Sequence, residues 1–153
     1  MDILDRPKGL IKDFIYVKDN SLSKSFCDEV IKKFDKDPRQ RDGIIGKDTN
    51  QRVDKSLKDT KDIHISSTEG WEKEDTIFFE SLKLGLEEYI EYLTNLNDCC
   101  KSYPNPTFGT NDTGYKVQKY EPGGCYHWHH DWSMSSEPVA SRIFTFMWYL
   151  NTI

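Results

Sequence analysis

Between Tyr120 and Ser133 the sequence reads YEPGGCYHWHHDWS, which gathers three of the chain's four histidines beside an aspartate and a glycine pair. Imidazole nitrogens next to a carboxylate form the donor set of a transition-metal site. In an extended segment, residues i and i+2 point to one face, with Cα atoms roughly 6.6 Å apart. His129 and Asp131 can therefore converge on one ion, while His130 between them points away. One imidazole and one carboxylate are two legs of the 2-His-1-carboxylate arrangement that leaves open positions on non-haem Fe(II). Taken alone, an H-x-D pair is a short motif that arises often by chance.

Two other metal readings compete. His127-x-His129-x-Asp131 matches the start of the H-x-H-x-D-H run of metallo-β-lactamase-type hydrolases. Trp132 stands where the closing histidine belongs, however, and Glu121-Pro122-Gly123-Gly124 replaces the hydrophobic strand that normally precedes the run. A cupin-like H-x-H needs a following glutamate, and Glu137 falls late. His127 and His130 are read as flanking residues, and His64, within DIHIS, as a surface or hydrogen-bonded core histidine.

The elements that must hold these residues follow from hydrophobic spacing. GLIKDFIYVKDN, residues 9–20, predicts a short opening strand. SLSKSFCDEVIKKFDKDP places Leu22, Phe26, Val30, Ile31 and Phe34 at helical spacing, with Ser21 or Ser23 to cap the start and Asp37-Pro38 to stop it. The polar, glycine-containing stretch 39–60 predicts a mobile, solvated loop, and DIHIS a short strand. WEKEDTIFFESLKLGLEEYIEYLTNLN carries Phe78, Leu82, Leu86, Tyr89, Ile90 and Leu93 on one stripe and predicts a long second helix. YKVQKY and SRIFTFMWYLNTI alternate as strands do. On the latter, Ile143, Thr145, Met147 and Tyr149 share a face, and Arg142 falls on the other. Helices first and strands last predict an α+β domain whose chemistry lies in the β half.

Composition narrows the function classes. A chain of 153 residues suits one domain with a real core. A net charge of −5, with lysines interleaved among acids, gives no footprint for nucleic acid. No apolar run approaches a membrane span, and the opening MDILDRPKGLIKDF has no signal-peptide hydrophobic core, so a cytoplasmic protein is expected. The cysteines Cys27, Cys99, Cys100 and Cys125 contain no C-x-x-C, so free thiols are expected rather than a structural zinc site.

YKVQKYEPGGCYHWHHDWS followed by SRIFTFMWYLN closely resembles the prolyl-4-hydroxylase-like branch of the 2-oxoglutarate/Fe(II) dioxygenases. The elements that carry the resemblance are Tyr120, Pro122-Gly123, Tyr126, His129-x-Asp131, Arg142, Thr145 and Tyr149-Leu150-Asn151. The resemblance implies a double-stranded β-helix (jelly roll) with helices packed outside: a mainly helical support region over residues 1–110 and the first core strands over 111–153. It implies His129 and Asp131 as ligands of Fe(II), Tyr120 and Tyr149 as hydroxyls that hold 2-oxoglutarate, and Thr145 in the pocket beside Tyr149. It also implies ascorbate as an auxiliary cofactor and O₂ as co-substrate. The prime substrate it implies is a peptidyl prolyl or related residue, or a small molecule. The dense aromatics Trp128, Trp132 and Trp148 could keep such a site dry or simply fill the core.

The family also uses a second histidine and an Arg or Lys on strands well beyond H-x-D. Here 22 residues follow Asp131, and none is a histidine. The expectation is the N-terminal portion of a dioxygenase, with an incomplete jelly roll and inactive by itself. A non-catalytic interaction module derived from the same fold is the alternative expectation.

Overall fold

The computed structural model of the protein describes residues 15–46, 48–96, 111–131 and 142–152. The chain divides into two compact units, one of Met1–Leu22 with Phe79–Asp112 and the other of Ser23–Phe78 with Thr113–Ile153. The described elements are two helices and two small antiparallel sheets.

In the second unit, helix α1 spans Lys24–Lys36. Of the two candidate caps the chain uses Ser23, whose backbone is extended and whose Oγ accepts the Phe26 N–H at 3.2 Å. Phe26, Cys27, Val30 and Phe34 form its buried stripe. The helix ends at Asp37, which is extended as the residue before a proline must be. Asp37 is then held hard: the Trp71 indole N–H donates to Oδ2 at 2.8 Å, and Arg39 donates to both carboxylate oxygens at 2.8 and 2.6 Å. The Arg39 hydrogen bonds hold the Asp37 carboxyl well below the usual carboxylate range. Trp71 is fully buried at the start of α2, Glu72–Leu96, where Lys33 crosses over its ring to reach Glu74.

The larger sheet has the order β1-β4-β5, built from Arg41–Asp42, Lys61–His64 and Lys116–Lys119. The register pairs Arg41 with Asp62 and Asp62 with Gln118, then His64 with Lys116. Directly paired residues point the same way, so one face carries Arg41, Asp62, His64, Lys116 and Gln118. The opposite face carries Ile63 and Val117, both buried, and Lys119, whose ammonium reaches Asp35 of α1 at 3.0 Å. One face is thus committed to the helix and the core, and the other is left polar.

The stretch expected as a mobile loop is instead built structure. It supplies β1, then a β2-β3 hairpin of Ile44–Ile45 and Arg52–Val53 whose connection passes through Gly46 at φ 82. Its end feeds a buried polar cluster, in which Lys58 and Thr60 join Asp62 of β4. The expected strand over 142–152 is also corrected, because that segment belongs to neither sheet. Ile143, Thr145, Met147 and Tyr149 are exposed, whereas Trp148 packs on Phe78 and Tyr115 with ring centroids 5.1 and 5.8 Å away.

In the first unit the described residues 15–22 form no strand, and residues 9–14 of the expected opening strand lie outside the described residues. The reason is a set of contacts to a residue distant in sequence. Tyr16 and Lys18 both bind the Glu88 carboxylate of α2, at 2.9 and 2.6 Å, and Tyr16 packs against Tyr89 and Tyr92. A segment tied to a helix by successive polar contacts has no edge to pair with. Among the described residues, no helix is long and apolar enough to cross a membrane.

Candidate functional site

The H-x-D segment is delivered by a turn. After β5 the chain makes a type II turn at Glu121-Pro122-Gly123-Gly124: Gly124 N donates to Glu121 O at 2.7 Å, with proline at the second position and Gly123 at φ 86. A Cβ on Gly124 would stand 2.8 Å from the Asp59 carbonyl, so the backbone approach there requires glycine. The chain then rejoins the segment leading into β4. Asp59 N donates to Cys125 O at 2.7 Å, Tyr126 bridges Lys58, and His127 N donates to Leu57 O at 2.9 Å. Turn and bridge together fix where His129 and Asp131 begin.

His129 Nδ1 lies 2.8 Å from the His127 carbonyl. A carbonyl only accepts, so Nδ1 donates to it. Nε2 faces Asp131, 3.6 Å from Oδ1. Two donors each about 2.1 Å from a shared ion stand at most about 4.2 Å apart, so both can reach one cation. The two side chains are 39 and 41 % exposed. An imidazole whose second nitrogen is anchored on a carbonyl is the usual preparation of a metal ligand. Thr145 Oγ1 donates to Asp131 Oδ2 at 3.4 Å, and Arg142 Nη1 donates to the Asp131 carbonyl at 3.2 Å. Arg142, which strand parity put on the far face, is therefore brought to Asp131 together with Thr145, because residues 142–152 are not held to a sheet's alternation. No group of three His, Cys, Asp or Glu side chains able to hold a metal occurs among the described residues. His129 and Asp131 supply two donors and no third among the described residues.

Beneath Tyr126 lies a buried polar cluster that motif reading missed. Lys58 Nζ donates to Asp62 Oδ2 at 2.8 Å, Thr60 Oγ1 to Oδ1 at 2.7 Å, and Gln118 Nε2 to both oxygens at 3.2 Å, while Lys116 stands 3.7 Å from Oδ2. Burial would raise the Asp62 carboxyl, but the Lys58 and Thr60 hydrogen bonds and the two ammonium charges outweigh it and hold it low. Burial also lowers Lys116, helped by the like charge of Lys58. The available signal was the alternation of Lys58, Thr60 and Asp62, three polar residues at i, i+2 and i+4 that a half-buried strand places on one side.

Tyr120 follows Gln118 on the polar face and is partly exposed, and Tyr149 is 68 % exposed. Burial raises the Tyr120 phenol first; the Asp62 charge and the phenols of Tyr126 and Tyr149 add to it. The Tyr126 phenol is raised by burial and then by the Asp131 and Asp62 charges. Both hydroxyls therefore stay protonated at neutral pH and act as donors. Trp128 is fully exposed and Trp148 packs, partly buried, on Phe78 and Tyr115; Trp132 lies outside the described residues. Cys27 and Cys125 are free thiols, and Cys99 and Cys100 lie outside the described residues. A cavity of about 420 Å³ opens on the polar face against Arg41, Asp62, His64 and Lys116, and its lining includes neither His129 nor Asp131. His64 there has a lowered pKa, from burial and then from Lys116.

Compared with protein-family models, curated proteins and solved structures, the chain matches none of them.

Proposed function

We propose that this sequence carries part of the active site of an Fe(II)- and 2-oxoglutarate-dependent dioxygenase on a jelly-roll scaffold, acting on a peptidyl prolyl or related residue in a cytoplasmic setting. The observation that carries the reading is the prepared donor pair: His129 with Nδ1 tied to a carbonyl and Nε2 facing the Asp131 carboxylate. The order of Tyr120, Pro122-Gly123, Tyr126, His129-x-Asp131, Thr145 and Tyr149 supports it as a resemblance. Iron with 2-oxoglutarate and O₂ supplies oxidative decarboxylation coupled to hydroxylation of a C–H bond, with ascorbate as the auxiliary reductant.

The chain's own residues have distinct tasks in this reading. His129 and Asp131 hold the metal, and the Thr145 hydroxyl steadies the Asp131 oxygen not facing His129. The Tyr120 and Tyr149 hydroxyls donate to the 2-oxoglutarate carboxylate. A third protein donor is required, and the described residues do not supply one. That same observation favours a second reading, an interaction module that retains the scaffold without the metal.

Titration of the protein with Co(II), followed by NMR of the histidine rings, separates the readings. The expected result is perturbation of His129 at low metal concentration, abolished in Asp131→Ala and retained in His130→Ala. Perturbation shared by His127 and His129, indifferent to Asp131→Ala, would refute the iron reading and favour the hydrolase pattern. No perturbation at all would favour the module. With two protein donors, residues 1–153 alone are expected to bind Fe(II) weakly and to form no succinate from 2-oxoglutarate, which a succinate assay with Fe(II) and ascorbate checks.

A further inference from the structure

Lys58 is 2 % exposed and yet carries an ammonium group. A buried charge persists only when it is paired and hydrogen-bonded, and Asp62 provides that at 2.8 Å. The Asp62 carboxylate is in turn fixed by Thr60 and Gln118. The ammonium therefore sits at a defined point rather than sampling solvent. From that point it lies 4.9 Å from the centroid of the Tyr126 ring, inside the roughly 6 Å reach of a cation–π contact. Lys58 and Tyr126 are also bridged through the backbone, so ring and ammonium are cross-strand neighbours.

The Tyr126 ring lies against the His129 imidazole, with centroids 3.7 Å apart and planes inclined by 19°. The imidazole is thus held on one edge by the His127 carbonyl and on one face by Tyr126. An exposed histidine on a segment without a ladder would otherwise rotate freely about its side-chain bonds. We propose that Lys58, with Asp62 as its counter-ion, is a positioning residue for the His129 imidazole and acts through the Tyr126 ring. Its consequence for metal binding rests on the iron reading above; its consequence for the ring's orientation does not.

The test begins in the metal-free protein. A phenol ring stacked at this distance moves the His129 ring protons upfield in the NMR spectrum. That shift is expected to vanish in Tyr126→Leu, to fall by at least half in Lys58→Met, and to return in Lys58→Arg, which keeps the cation. Because Lys58→Met leaves the buried Asp62 carboxylate without its closest counter-ion, the pair Lys58→Met with Asp62→Leu is measured beside it; it removes the cation together with the carboxylate it neutralised, and the upfield shift is expected to fall there as well. A full wild-type shift in either folded variant lacking the cation overturns the proposal. Co(II) affinity is the second measurement. Tyr126→Leu and Lys58→Met are each expected to weaken it about 10-fold, the lower end for loss of a group that orients a metal ligand. Unchanged affinity in both overturns the proposed link to the metal. Failure of the wild-type protein to bind Co(II) counts against the iron reading alone, because the ring-shift series decides the positioning role separately.

Discussion

Replacing Lys58 by methionine keeps the stem's bulk and removes the charge, which isolates what the buried pair contributes. Lys58 and Asp62 are 2 and 8 % exposed, so solvent screens the pair little. Removing one partner of such a pair typically costs about 3–5 kcal/mol, because the other charge is left buried without its counter-ion. The lower end applies here. Asp62 keeps its bonds from Thr60 and Gln118, and Lys116, already 3.7 Å away, remains as a weaker counter-ion. A loss of about 3 kcal/mol lowers the melting temperature by roughly 6–12 °C in a chain of this size, and a typical stability of about 5–15 kcal/mol leaves the variant folded at 25 °C. The sign with pH follows from the depressed Asp62 carboxyl. Its folded pKa lies below its unfolded value of about 3.9, so its stabilising contribution is complete above that value and is lost as pH falls through the folded pKa. The Lys58→Met penalty should therefore be full at pH 7 and shrink below about pH 4. Urea unfolding at both pH values measures this, with the double variant Lys58→Met/Asp62→Leu expected to recover part of the loss. A single variant within about 0.5 kcal/mol of the parent at pH 7, the spread of ordinary surface substitutions, would refute the reasoning.

Two further substitutions probe the same scaffold. Gly43→Ala would place a Cβ 2.2 Å from Thr60 Oγ1 and 2.8 Å from Lys58 Cε, so it is expected to cost about 1–3 kcal/mol by denaturant unfolding and to disturb the Asp62 hydrogen bonds. Trp71→Phe removes the indole donor to Asp37 and part of a fully buried ring, and is expected to cost about 2 kcal/mol. Arg39 still holds Asp37 ionised in that variant, so thermal melts should show the Trp71→Phe loss undiminished down to pH 5.

Local spacing was enough for the elements that depend on it. The stripe of Phe26, Val30 and Phe34, the serine before it and the proline after it determined α1. The run from Glu72 determined α2, and Pro122-Gly123-Gly124 determined the turn that delivers His129. The order of His129, Asp131, Thr145 and Tyr149 was also legible, because a donor set is a matter of residue type and short-range order. What spacing could not supply was partnership across the chain. Residues 39–60 are polar by composition, and only the pairing of Arg41 with Asp62 and of Lys58 with Tyr126 turns them into sheet edge and buried cluster. Residues 15–18 have strand-like letters, yet Glu88, some seventy positions away, claims Tyr16 and Lys18. Arg142 has the wrong parity for the site in an ideal strand and reaches Asp131 because its segment is not held in a ladder. In each case a contact between distant residues, worth more than a local preference, decided the outcome. The pair His129 and Asp131 was written in the local sequence; the contacts that run from Asp62 through Lys58 and Tyr126 to His129 exist only once the strands have paired.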